Sequence, residues 1–120
     1  PNLIIESDFT EAGGYDAMRR LLSQNPDAVF VASDAMAIGA LRALREASKR
    51  VPEDVAVIGF DDLPFAARSE PPLTTVRQPI QRMGALAAET LISLIEQPAL
   101  SPQRILLPAE LTIRTTCGYT

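Results

Sequence analysis

With 120 residues, 47% hydrophobic and 22% charged, the chain is long enough to bury a core and too apolar for wholesale disorder. Its formal charge is −4, and its eleven basic residues are scattered, which excludes a phosphate-binding stripe for nucleic acid on this segment. Histidine is absent and Cys117 is the single cysteine, so no His-based metal or catalytic site and no intrachain disulfide is expected, and a reducing cytoplasm fits better than secretion.

The chain opens at Pro1, almost directly on an apolar run, as a piece cut from inside a domain would. Asn2 to Glu6 reads as a short strand, and Thr10-Glu11 starts a helix carrying Tyr15, Met18, Leu21 and Leu22 at helical spacing. Asn25-Pro26-Asp27 ends it. Ala28 to Ala32 (AVFVA) has the non-alternating apolar pattern of a parallel strand covered on both faces. Asp34 is read as the cap of a helix to about Ala47. A turn at Val51 to Asp54 leads into a third apolar strand, Val55 to Phe60 (VAVIGF). Three strands joined by two helices imply right-handed crossovers and a doubly wound parallel α/β sheet.

Beyond Asp61-Asp62 the chain is irregular through Pro64, Pro71 and Pro72, and Leu73 to Val76 is a short extended piece. Pro79 suits the first turn of a helix to about Glu96, with Ile80, Met83, Leu91, Leu94 and Ile95 on its apolar side and Leu86 and Ile92 elsewhere. So broad an apolar surface wants partners on more than one side. Ile105 to Leu107 and Glu110 to Thr116 read as one or two short strands broken by Pro108. No apolar run reaches the roughly 18–20 residues of a membrane span, so no membrane partner is expected.

In an open parallel sheet, ligands bind beyond the carboxyl ends of the strands. Those ends are Ser7-Asp8-Phe9, Ser33-Asp34 and Asp61-Asp62. Carboxylates accept hydrogen bonds and suit a ligand rich in hydroxyl or N–H donors, while Phe9 offers a flat apolar face. The same residue types also cap helices and form turns. Asp34, just before a helix, reads as a cap rather than a contact. Asp61 tilts the other way, because no helical pattern starts directly after it. Asp8 and Asp62 read as turn or supporting residues, and Phe9 and Ser33 fit either role. A receiver-like magnesium and phosphoacceptor site would want a lysine at a later strand end, where only Arg77 and Arg114 stand. Nucleophilic catalysis lacks a histidine base and a G-x-S-x-G elbow, so no enzyme and no cofactor are expected.

From residue 27 on, the strings VFVASDAMAIGALRALREA, RVPEDVAVIGFDD, PPLTTVRQP and LLPAELTIRTT, in that order and spacing, resemble the LacI/GalR family of bacterial transcription regulators. SDFTEAGGYDAM fits the position before them. The resemblance implies a Rossmann-like lobe of a type I periplasmic-binding-protein fold. Residues 1–76 and 109–120 would form the C-terminal lobe, and 79–107 a crossing segment and a helix of the otherwise absent N-terminal lobe. It implies an effector (a sugar, a polyol or a purine-like molecule) facing Phe9, Ser33 (where the family often has Asn), Asp61 and Gln78, with Asp34 mainly structural. It also implies a homodimer through Ile38, Leu41, Arg42, Arg45 and Phe65, and operator DNA bound only through an absent N-terminal headpiece. Ser48 stands where the family commonly has a helix-ending glycine. A periplasmic sugar-binding protein of a transport system shares the fold and is the alternative; the receiver-like domain ranks below both.

Overall fold

The computed structural model describes residues 2–119. They fall into two compact units: one runs up to Arg77 and resumes at Leu111, and the other spans Gln78–Glu110. In the first unit α1 (Glu11–Leu21), β1 (Ala28–Phe30), α2 (Asp34–Glu46), β2 (Ala56–Asp61) and β3 (Thr74–Arg77) follow in order; α3 (Ile80–Glu96) lies in the second, and β4 is Glu110–Thr112. The sheet order is β1-β2-β3-β4, with β1 parallel to β2 and β2 parallel to β3. The doubly wound α/β class expected from the strand and helix pattern is what forms.

Local chemistry sets the helix ends. Thr10 caps α1, its hydroxyl accepting from the Gly13 amide at 2.9 Å, and Asn25 ends the following 3-10 turn in the left-handed region (φ 49°). Ser33 caps α2 by accepting from the Met36 amide at 3.3 Å. Asp34, expected as the cap, is instead the first helical residue, and its side chain is used elsewhere. Helix α2 ends at Glu46 with Ala47 as its C-cap, and the next residue, Ser48, is left-handed (φ 57°) without being glycine.

Helices α1 and α2 approach through glycine. A Cβ on Gly39 would sit 1.9 Å from the Glu11 carbonyl oxygen, and one on Gly14 would sit 2.1 Å from that of Met36. The core lies between these helices and the sheet, where Met18, Leu44, Val55, Val57 and Leu73 are essentially inaccessible. Burying each contributes about 1.5–3 kcal/mol. The tail is tied in at Thr116, which is fully buried: its hydroxyl accepts from the Thr74 amide (2.8 Å) and donates to the Val57 carbonyl (2.7 Å), and its carbonyl accepts from the Val57 amide (2.8 Å).

Two further expectations are corrected. Asn2 to Glu6 forms no strand, and among the described residues no strand pairs with it. The β1 strand is not covered on both faces; it is a sheet edge, and Phe30 is 64% exposed. Of the one or two short strands expected in the tail, one forms, Glu110–Thr112, while Ile105 to Leu107 forms none. In the second unit, no α3 residue is buried within the described residues, and Ile80, Leu91, Ile92 and Ile95 are each more than half exposed.

Candidate functional site

Parallel pairing brings the carboxyl ends of β1, β2 and β3 to one edge of the sheet. Asp61 closes β2 there, in register with Arg77 at the end of β3. Asp61 and Asp62 both have positive φ (124° and 59°), a run of two left-handed non-glycine residues. Such residues cost on the order of 1–3 kcal/mol each and persist only where their surroundings hold them.

Two carboxyl groups do the holding. Asp34, fully buried, accepts from the Leu63 amide through Oδ2 (2.8 Å) and from the Thr75 hydroxyl through Oδ1 (2.6 Å). It thereby ties the start of α2 to the residue just past the turn and to β3. Asp62, with a side chain only 6% exposed, accepts from Arg77 Nε at 2.6 Å and from an Arg114 terminal nitrogen at 2.7 Å. Burial pushes the Asp62 carboxyl up, but the hydrogen bonds from Arg114 and Arg77 outweigh it and hold the group below the ordinary carboxylate range. Arg114 also donates to the Leu73 carbonyl. With both oxygens of Asp62 taken by guanidinium groups, the arrangement serves the turn rather than a magnesium ion. Sequence reasoning noted Arg77 and Arg114 only where a phosphoacceptor site would want a lysine and missed their pairing with Asp62; the signal was two adjacent acids and two arginines at later strand ends.

The remaining expected site residues are placed as follows. Phe9, left-handed (φ 63°) and 63% exposed, lies in the turn before the Thr10 cap. Beside it Asp8 accepts from both the amide and the hydroxyl of Thr10, which holds its carboxyl below the ordinary range. Ser33 is buried at the start of α2, its hydroxyl engaged as the cap. Gln78 is the first residue of the second unit. Of the residues expected on a pairing face, Arg45 and Phe65 are exposed, Ile38 and Arg42 are half-buried, and Leu41 packs in the core at 6% exposure. The Arg42 guanidinium stacks over the Tyr15 ring at 4.3 Å, and the Tyr15 hydroxyl donates to Glu46.

A cleft of about 970 Å³ opens in the first unit between the Leu3–Ser7 run and β1. Phe9, Ala32 and Met36 line it, but Ser33 and Asp61 do not.

Residues 1–117 match the family model described as a periplasmic binding protein-like domain. Among curated proteins, the ribose operon repressor of Escherichia coli (strain K12) is 50% identical over 105 residues, covering 86% of this chain and 32% of the relative. Among solved structures, the complex of the transcriptional regulator CelR with cellobiose superposes with a TM-score of 0.87 at 46% identity, over 92% of this chain and 34% of that one. The lac repressor dimer bound to operator and the anti-inducer ONPF superposes with a TM-score of 0.86 at 34% identity, over 93% of this chain and 40% of that one. The chain thus spans about a third of the length of the curated relatives it matches.

Proposed function

This chain belongs to the periplasmic-binding-protein-like domain family, among whose members its relatives are LacI-family transcriptional regulators, and we propose that it is the effector-sensing lobe of such a regulator. The effector class is a sugar. Ribose and cellobiose appear in the names of relatives, and the chemistry at the sheet edge, an acid on a braced turn, suits a ligand that offers hydroxyl donors.

The observation that carries the reading is the Asp61–Asp62 turn. A ligand-facing acid gains most when its position is set before the ligand arrives, since less ordering is then left to binding. Asp34 and Asp62, through Leu63, Thr75, Arg77 and Arg114, hold the chain directly after Asp61. Asp61 accepts from effector hydroxyls, and Phe9 packs on an apolar face of the effector. Effector binding shifts the population between open and closed arrangements of the whole sensor, and a homodimer passes that shift to an operator-binding headpiece outside this chain. The protein works in the cytoplasm and catalyses no reaction.

Thermal-shift screening of the complete polypeptide against pentoses, disaccharides, polyols and nucleobases identifies the effector. Titration with the best ligand then compares the native protein with Asp61→Ala. Loss of a charge-assisted hydrogen bond of about 1.5–3 kcal/mol weakens binding by roughly 10- to 100-fold. An unchanged affinity removes Asp61 from the site.

A further inference from the structure

Phe9 stands in a rare backbone region, and the residues around it account for that. An exposed aromatic residue with φ 63° is an outlier, and such conformations persist only where neighbours hold them. The Asp8 Oδ1 oxygen accepts from the Thr10 amide at 3.0 Å and from the Thr10 hydroxyl at 2.6 Å, so the acid spans Phe9. The same hydroxyl accepts from the Gly13 amide at 2.9 Å, and the Gly14 amide bonds the Thr10 carbonyl at 3.0 Å. Asp8 thereby fastens the Phe9 turn to the first turn of α1, where the helix amides also favour a negative charge.

Gly13 completes the arrangement. It is helical, with no left-handed backbone to call for glycine, and alanine is the better helix former. Space explains it instead: a Cβ there would sit 2.0 Å from Asp8 Oδ1, 2.4 Å from Ser7 Oγ and 3.0 Å from Asp8 Cγ. A Cβ on Gly14 or Gly39 would meet the facing helix, whereas one on Gly13 would meet the turn that carries Phe9. The missing side chain is what lets the Asp8 carboxyl lie against α1.

We propose that Asp8 and Gly13 are positioning residues for effector recognition: the acid, seated against the glycine, sets the Phe9 backbone so that the ring is in place before the effector arrives. The inference rests on the proposed contact between Phe9 and the effector, and extends it to two residues that act through Phe9 rather than on the ligand. Left-handed backbone accounts for only about a few per cent of non-glycine residues, so a Phe9 without its brace seldom adopts it. A fall of about tenfold in the population of ready Phe9 weakens apparent binding by about the same factor.

Calorimetric titration of the complete polypeptide with ribose, the sugar in the name of the relative at 50% identity, tests it, together with thermal melts and ligand-free crystal structures of the variants. Asp8→Ala and Gly13→Ala should each weaken ribose binding roughly tenfold, and Asp8→Asn, which keeps an acceptor oxygen, clearly less. On a Phe9→Ala background the effect of Asp8→Ala on affinity should shrink below about twofold, while its effect on the melting temperature stays the same in both backgrounds. Without ligand, Phe9 should leave the left-handed region or lose order in Asp8→Ala and in Gly13→Ala. A Phe9 unmoved in both variants overturns the proposal, whether or not ribose binds. Weakened binding in Phe9→Ala with unchanged affinity in Asp8→Ala and Gly13→Ala also overturns it, and leaves the effector reading standing. An Asp8→Ala loss of equal size on the Phe9→Ala background makes Asp8 a direct contact and equally sinks the proposal. Failure of the native protein to bind ribose counts against that sugar alone, and the crystal structures then decide.

Discussion

Replacing Asp34 probes the bracing of the effector edge directly. Its two oxygens satisfy the Leu63 amide and the Thr75 hydroxyl, and Thr75 is itself fully buried. Asp34→Ala removes both acceptors while leaving both donors in place. An unsatisfied buried donor costs about 1–3 kcal/mol, so the pair amounts to about 2–6 kcal/mol out of the 5–15 kcal/mol that stabilises an ordinary domain. With a urea m-value of about 2 kcal/mol/M, the unfolding midpoint falls by roughly 1–3 M. Asp34→Asn behaves differently. Its carbonyl oxygen keeps the Leu63 bond, and the Thr75 hydroxyl rotates to accept from the new amide, so the loss is about 1 kcal/mol. Urea titrations of the two variants at neutral pH make the comparison. An alanine variant within 1 kcal/mol of the native protein, or an asparagine variant as damaged as alanine, would refute the assigned hydrogen bonds.

Three further outcomes follow from the same geometry. Ser48→Gly relieves a left-handed non-glycine residue at the end of α2 and should stabilise by about 1 kcal/mol, visible as a melting temperature raised by a few degrees. Gly39→Ala drives a methyl group to within 1.9 Å of the Glu11 carbonyl and forces α1 and α2 apart; overpacking of about 1–3 kcal/mol or more is expected by calorimetry. Asp62 has a folded-state pKa below its unfolded value of about 3.9, so the unfolded chain binds the proton more readily. Its contribution is therefore complete above about pH 4 and is lost as the pH falls through the folded-state value. Asp62→Asn should cost about 1–3 kcal/mol at pH 7 and flatten the acid limb of a stability–pH curve; an unchanged acid limb would show that Arg77 and Arg114 do not stabilise its charge.

The elements that carry their own explanation were legible in the chain. VAVIGF is apolar throughout because β2 is interior to the sheet, and the Thr10 and Asn25 signals bound the first helix because capping is decided by neighbours a few residues away. What failed to show depends on partners distant in sequence. Asn2 to Glu6 has strand composition without a strand to pair with, and Phe30 belongs to a buried pattern on an edge that the described residues leave open. The site was half legible. Asp61 and Ser33 could be placed at strand ends by counting, but Thr75 lies 41 residues from the Asp34 it satisfies, and Arg114 lies 52 from Asp62. Short-range pattern also assigned the cap to Asp34, when Ser33 one residue earlier serves it and frees the acid for that distant work.

The anchoring of Thr116 has a kinetic side. Three of its hydrogen bonds join the tail to the buried Val57 and Thr74 across 59 and 42 residues. The early helices can form from local contacts, but the sheet centre stays unfinished until Thr116 has returned to it. Closure over so long a loop is slow compared with helix formation. On the ribosome, this unit should therefore acquire its final resistance to proteolysis only after the tail has left the exit tunnel.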